Sequence, residues 1–173
     1  DAGLATNIYT NTTSSLTSAA ISPGGNKVLY QSFNQLSVRD LAFSTNQFLY
    51  STTVPIKSQS QWSGDGRYVA FVTRSNLVAG DNNGINDVYL RDLQTGTLSL
   101  LSLNQGGTAS GNGPSELPEV SADGRFIAYR TLATDIVPGV VKPPAIVRFD
   151  RATGSNALLV AGTLYSLGRQ RGM

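Results

Sequence analysis

The chain has 173 residues, of which 40% are hydrophobic, and it is therefore long enough to bury one ordinary core. Only 14% of the residues are charged and the net charge is +2, so no basic stripe of the kind that binds nucleic acid is present. The sequence contains no cysteine and no histidine, which excludes disulfides, thiolate chemistry and the commonest general base.

The predicted elements, taken in chain order, are short strands separated by turns, and no helical period of 3.6 residues is evident. A short strand before a tight turn begins each of three units, and three longer strands follow it. The longer strands are predicted at Lys27–Ser32, Leu36–Asp40 and Gln47–Thr52, then Arg67–Thr73, Asp87–Asp92 and Thr97–Leu103, then Arg125–Arg130, Ala145–Asp150 and Asn156–Val160.

The tight turn is the most regular feature of the sequence. The pattern Ser-x-Asp-Gly-Arg, followed by an aromatic residue and a run of apolar residues, recurs at Ser63–Phe71 and Ser121–Tyr129, with a weaker copy at Ser22–Tyr30. Asp-Gly supplies the positive φ that a tight hairpin needs. Asp65 and Asp123 are therefore interpreted as turn residues rather than catalytic acids.

Repeated four-stranded meanders of this kind are typical of propeller blades, which stack because one blade cannot bury both of its faces alone. The sequence therefore predicts an all-β fold, a β-propeller segment of three to four four-stranded antiparallel blades. It is interpreted as one partial propeller domain over residues 1–173. The repeat units cover about 19–60, 61–118 and 119–161, with partial repeats at both ends.

The repeat resembles a known family. The turn motif, followed by a strand that ends in Arg-Asp and then by Thr-Gly, resembles the TolB-type β-propeller repeat and is similar to WD-repeat-like blades of large bacterial surface proteins. The resemblance covers roughly residues 19–160 and is weaker in the first unit, where Gly24 replaces the aspartate and Ser44 the turn glycine. It implies six or more blades in a whole propeller, with a protein or glycan ligand at the loops of one face or at the central channel.

The segment Asp81–Asp87 carries oxygen-bearing side chains at its first, third and seventh positions and a glycine at its fourth. Calcium takes about six to eight oxygen ligands, often on a tight turn. The segment resembles calcium loops of the Asp-x-Asn-Gly type. Asp81, Asn83 and Asp87 would then bind the ion through their side chains and Ile85 through its carbonyl. The alternative interpretation is a plain turn whose side chains cap the backbone.

Evidence for catalysis is weak in this sequence. It has no Gly-x-Ser-x-Gly elbow and no phosphate-binding loop. Glu116 and Glu119 offer a pair of carboxylates that a glycosidase could use, which is the weaker interpretation. Several aromatic residues could stack on a sugar, but their repeated positions favour a place in the core: Trp62, Tyr68, Phe71, Phe126 and Tyr129.

The leading hypothesis is a non-enzymatic binding or assembly module that engages a protein or glycan through long loops on one face. These loops are predicted at Ser75–Asn86, Asn104–Pro118 and Ala133–Pro144. One alternative is an accessory propeller domain of a larger hydrolase or lyase, as in prolyl-oligopeptidase-like peptidases. Another is a structural subunit that closes a ring or filament by pairing exposed strand edges with a second copy.

The expected surroundings follow from the same composition. The polar, lysine-poor sequence favours an extracytoplasmic setting, periplasmic or secreted and at the cell surface. No partner nucleic acid and no membrane span are predicted, because no apolar run is long enough to cross a bilayer as a helix. Calcium is the one cofactor that the sequence suggests.

Overall fold

The structure is a computed structural model, and it describes residues 16–32, 35–51, 60–138 and 143–162. The partial repeats predicted at the two ends of the chain lie outside these residues. Among the described residues no helix is long and apolar enough to cross a membrane. The strands described are β1 (Leu16–Ile21), β2 (Lys27–Ser32), β3 (Gln35–Asp40), β4 (Thr45–Ser51), β5 (Ser60–Trp62), β6 (Tyr68–Thr73), β7 (Asp87–Asp92), β8 (Leu98–Leu100), β9 (Ser115–Val120), β10 (Phe126–Thr131), β11 (Ala145–Asp150) and β12 (Ser155–Ala161).

The twelve strands of this described part form three four-stranded antiparallel sheets, each made of consecutive strands in the order β1-β2-β3-β4, β5-β6-β7-β8 and β9-β10-β11-β12. The predicted all-β architecture and its four-stranded meanders are therefore confirmed. Most predicted strand bounds agree with the structure to within two residues. The strand predicted at Thr97–Leu103 is shorter, because Leu103 instead forms an isolated bridge with Ser110.

The predicted connection Asn104–Pro118 is wrong over its last four residues, which belong to β9. The register of β9 against β10 is interrupted by an irregularity between Ala128 and Arg130. Leu117 has a φ of 58°, which is rare for a leucine and breaks the even alternation of a strand. Pro118 also lacks an N–H to donate to the sheet, so the sequence pattern of β9 is that of a loop.

The Asp-Gly turns have the geometry that the sequence predicts. Gly66 and Gly124 both have a φ of 67°. Asp65 accepts a hydrogen bond from the backbone N–H of Arg67 at 3.0 Å, and Asp123 makes the same bond in the third unit. Both aspartates are therefore committed to their turns, which confirms the structural interpretation.

A second repeated contact joins the start of one strand to the end of the next. The Arg67 guanidinium donates to both carboxylate oxygens of Asp92, at 2.9 and 2.6 Å, and Arg125 does the same to Asp150 at 3.0 Å for both contacts. The arginine holds the pKa of each aspartate below its usual range. Asp92 also accepts the backbone N–H of Gln94, and Asp150 accepts that of Ala152, so these strand-end aspartates both pair with arginine and cap turns.

The chain divides into two compact units, residues 1–58 and residues 59–173. In the first, the β1–β4 sheet buries Leu29, Leu36 and Tyr50. In the second, the β5–β8 and β9–β12 sheets pack together, with β9 in contact with β5, β6 and β7. Their shared core consists of Tyr68, Ala70, Val72, Val88, Leu90 and Leu101 from one sheet and its following loop, and of Ile127, Tyr129, Ala133, Ile136, Val137, Ala145, Val147 and Phe149 from the other.

Three of the five aromatic residues of the repeat are fully buried. Tyr68, Phe71 and Tyr129 are at most 2% exposed, which confirms their core interpretation. Trp62 and Phe126 are half-buried. The Arg67 guanidinium lies over the ring of Tyr68 and the Arg125 guanidinium over that of Phe126. These rings are therefore packed against protein atoms rather than displayed as a platform for sugars.

Candidate functional site

The antiparallel topology brings three long connections of the second compact unit to the same end of its two sheets. β6 and β8 run towards one end of their sheet, because successive strands alternate in direction, and hydrogen bonds between the loops place the end of β10 beside them. The connections are loop A (residues 74–86), loop B (101–114) and loop C (132–144, described over 132–138 and 143–144). We call the surface that they form the loop face.

Loops B and C are joined by hydrogen bonds. The backbone N–H of Gln105 donates to the carbonyl of Asp135 at 2.7 Å. The Asn112 side chain donates to the Thr134 hydroxyl at 2.9 Å and accepts the backbone N–H of Thr134 at 2.8 Å. The backbone N–H of Asn112 donates to the Asp135 carboxylate at 2.9 Å. Side-chain and backbone groups together therefore fix the position of one loop against the other.

Loops A and B are joined in the same way. The backbone N–H of Ser110 donates to the carbonyl of Gly80 at 2.9 Å, and the Asn83 side chain donates to the carbonyl of Gly111 at 3.1 Å. A Cβ on Gly111 would lie 2.9 Å from Ile136 of loop C, so the glycine permits the close approach of loops B and C. Loop B is thus held on both sides.

A pocket of about 300 Å³ lies between loop B, loop C and the turn that joins β11 to β12. Its lining combines apolar and amide side chains, which is the usual composition of a small-ligand site, and its volume is at the lower end of the usual range. The lining includes Leu103, Ile136, Val137 and Phe149 on the apolar side and Asn104, Gln105 and Asn156 on the polar side.

The structure brings together Asp81 and Asp87, two of the four residues predicted to bind calcium, and Asn83 lies close enough to Asp87 to oppose the rise in pKa that burial causes there. Asp81 and Asp87 are 5% and 0% exposed. The Tyr89 hydroxyl donates to Asp81 Oδ2, and the Ser102 hydroxyl donates to Asp87 Oδ1. The remaining oxygens, Asp81 Oδ1 and Asp87 Oδ2, are buried and have no hydrogen-bond partner.

Asn83 also forms a local turn with Ile85, the fourth predicted residue. Asn83 Oδ1 accepts the backbone N–H of Ile85 at 2.9 Å, which is the bond that the plain-turn interpretation requires. The described residues contain no group of three or more acidic, histidine or cysteine side chains that could hold a metal. A cation here would rely on Asp81 and Asp87 for its charged ligands.

The two carboxylates interact electrostatically. Burial raises the pKa of Asp87 to about 6, the Ser102 hydroxyl opposes that change, and repulsion by Asp81 adds to it. Burial and the hydrogen bond to Asp81 also raise the pKa of Tyr89. Sequence reasoning missed Tyr89 and Ser102 as parts of this cluster. Tyr89 could have been found, because it lies two residues after Asp87 on one strand and therefore on the same face.

The two glutamates that suggested a glycosidase do not form a free pair. Glu116 forms an ion pair with Arg130 at 2.8 Å, and the exposed Glu119 accepts a hydrogen bond from the Gln61 side-chain amide at 3.5 Å. Both carboxylates therefore have structural partners on neighbouring strands. This arrangement gives no support to the glycosidase interpretation.

No protein-family model and no curated protein sequence matches the chain. Among solved structures it is similar to the tricorn protease, with 12% identity, a TM-score of 0.59 and coverage of 78% of this chain and 13% of that one. It is also similar to dipeptidyl peptidase 4 of Porphyromonas gingivalis, with 16% identity, a TM-score of 0.56 and coverage of 83% and 25%. A putative TolB from Agrobacterium tumefaciens has 16% identity, a TM-score of 0.40 and coverage of 90% and 65%.

These similarities define the fold, which is a segment of a β-propeller with three four-stranded blades in its described part. The identities are too low to carry an activity. The chain spans a quarter or less of the length of the two peptidases. The TolB-type assignment is not confirmed, because no family model matches the chain and the putative TolB shares only 16% identity with it.

Proposed function

We propose that the chain is a non-enzymatic binding module that engages a protein or glycan through the loop face. The observation that supports this function is the joining of the three long loops into one surface at a single end of the sheets. A surface already ordered before binding loses less conformational entropy when a ligand arrives. The short turns at the opposite end border a second pocket, of about 430 Å³, whose lining includes Asp92, Thr95 and Arg151.

The exposed chemistry of the loop face suits a polar, uncharged ligand. Amide and hydroxyl side chains dominate it, among them Asn82, Gln105, Thr108 and Asn112, all of which are exposed. These groups both donate and accept hydrogen bonds, as sugar hydroxyls and peptide backbones require. The apolar wall of the neighbouring pocket adds contact area for a ring or an aliphatic group. The lysine-poor composition favours a periplasmic or cell-surface setting for this module.

A pair of matched substitutions tests the loop face. The chain is screened on an array of bacterial surface glycans and against a displayed peptide library, and the selected ligand is titrated by calorimetry. Gln105→Arg, which places a long cation on loop B, is expected to weaken binding at least about tenfold, a change of about 1.4 kcal/mol. Gln94→Arg makes the same change in an exposed turn at the opposite end and is expected to leave the affinity unchanged. Absence of any ligand in both screens, or equal affinity of both variants, would contradict the proposal.

A second candidate is an accessory propeller domain of a larger hydrolase. It is favoured by the similarity to the tricorn protease and to dipeptidyl peptidase 4, since the matched segment is only 13% and 25% of those longer proteins. The coding sequence on either side of these 173 residues distinguishes the two candidates. A reading frame that continues into a domain with a nucleophile elbow favours the accessory role, and a reading frame that encodes no such domain opposes it.

A third candidate is self-association through strand edges. β12 is the last strand of its sheet, and its Leu159 and Val160 are 51% and 52% exposed. Edge strands with exposed apolar residues pair readily with another chain. Native mass spectrometry decides this case, because a closed ring or filament gives dimers or a ladder and a self-contained module gives a single monomer mass.

A further inference from the structure

Within the described part of the chain, no ion pair balances the buried carboxylates beneath the loop face. Asp87 and Tyr89 lie two residues apart on β7, so their side chains project from the same face of the strand. The Tyr89 hydroxyl holds Asp81 against that face, close enough for the two carboxylates to repel each other. Each still has one buried oxygen with no hydrogen-bond partner.

The groups that contact this pair are neutral. The Ser102 hydroxyl donates to Asp87 and the Tyr89 hydroxyl donates to Asp81. The nearby Asn83 amide opposes the rise that burial causes in the pKa of Asp87. Among the described contacts of the two aspartates there is no ion pair with lysine or arginine. A buried carboxylate without a compensating charge is strongly unfavourable, so this arrangement calls for a cation.

We propose that Asp81 and Asp87 bind one divalent, oxygen-preferring cation of the calcium class through Asp81 Oδ1 and Asp87 Oδ2. Loop carbonyl oxygens and water complete the coordination, as is usual for such ions. The cluster offers no imidazole and no thiolate, which are the ligands that favour zinc and copper. With two carboxylates the affinity is expected to be modest, with a Kd on the order of 10⁻⁴ M.

Such an ion would connect the loops at the base of the loop face. Asp81 lies in loop A, Asp87 begins β7, and the Ser102 hydroxyl that contacts Asp87 lies in loop B. The proposed cation site does not depend on whether the loop face binds a partner. Its test therefore needs no knowledge of any ligand.

The repeat itself indicates that the site is specific to one blade. At the position that Asp87 occupies in β7, the third blade has Ala145 and the first has Gln35. In the sequence, Gly139 and Val141 stand where loop A has Asp81 and Asn83. One cation per chain is therefore expected.

Terbium and calcium are the probes for this site. Terbium takes the same oxygen ligands and emits strongly when a neighbouring tyrosine absorbs light, and Tyr89 is in contact with Asp81. After treatment with EDTA, the whole chain is expected to show saturable, tyrosine-sensitised terbium emission that excess calcium displaces. Native mass spectrometry is expected to show one calcium per chain. Asp81→Asn and Asp87→Asn are expected to weaken calcium binding at least about tenfold, and the surface control Glu119→Gln is expected to leave it unchanged.

The thermal stability of the same variants distinguishes a cation site from a turn whose side chains only cap the backbone. In EDTA, Asp87→Asn removes an uncompensated buried charge and is expected to raise the Tm above that of the unmodified chain. In calcium the order is expected to reverse, because only the unmodified chain binds the ion and is stabilised by it. A variant that stays more stable in both conditions, or terbium emission equal in the unmodified chain and in Asp87→Asn, would overturn the proposal.

Discussion

Replacing Tyr129 with alanine is expected to lower the free energy of unfolding of the second compact unit by about 3–5 kcal/mol, as for other large aromatic side chains removed from a core. Tyr129 is 1% exposed and belongs to the core that the β5–β8 and β9–β12 sheets share. Its hydroxyl also donates to Asn156 at 2.9 Å. Removing the ring leaves a cavity between the two sheets, and urea unfolding followed by circular dichroism measures the cost.

Two companion variants identify the source of that cost. Tyr129→Phe keeps the ring and is expected to lose about 1 kcal/mol, because Asn156 still donates to the carbonyl of Leu101 at 2.8 Å. Leu159→Ala truncates a half-exposed side chain and is expected to change stability by about 0.5 kcal/mol or less. If Tyr129→Ala costs no more than Leu159→Ala, the two sheets do not share a core.

Replacing Gly124 with alanine is expected to lower the free energy of unfolding of the same unit by about 2–5 kcal/mol. About 1–2 kcal/mol comes from the left-handed backbone, since Gly124 has a φ of 67°. A further 1–3 kcal/mol or so comes from overpacking, because a Cβ at this position would overlap Tyr68 Cδ2 and lie 2.8 Å from Tyr68 Cε2. Thermal and urea unfolding both measure this change.

Gly154 provides a matched control in the same sheet. Its φ is 68°, almost the same as that of Gly124, but a Cβ there would have no neighbour within 4 Å. Gly154→Ala is therefore expected to cost only the backbone strain of about 1–2 kcal/mol. Equal costs for the two variants would mean that the turn of the third blade does not lie against Tyr68 of the second.

Much of the fold could be predicted because its signals are local. The Asp-Gly turn, the aromatic residue after it and the strand-ending Arg-Asp occur in the same order in two units, and they locate β6, β7, β10 and β11 closely. A strand before the third turn was predicted, but its start at Ser115 was missed because Leu117 and Pro118 interrupt the pattern. Tertiary pairing with β10 outweighs those unfavourable local preferences.

The candidate sites depended more on contacts between distant residues. The spacing within loop A identified Asp81 and Asp87, which are close in sequence. Ser102 was missed because it reaches Asp87 only after β7 and β8 have paired. The bonds between Asn112 and Thr134 were also beyond prediction, since two separate loops must first be placed at one end of two sheets.

Hydrogen exchange at the loop face is the most direct test that the three long loops form one ordered surface. Amide exchange followed by NMR should show the backbone N–H groups of Gln105, Ser110 and Thr134 protected by about 100-fold or more over unstructured chain, since each donates across the loops, Ser110 to loop A and the other two between loops B and C. Asn112→Ala should release the Thr134 amide, whose acceptor it removes, and leave the Gln105 amide protected. Exchange of all three amides at the unstructured rate would contradict the account, because the loops would then be independent of one another.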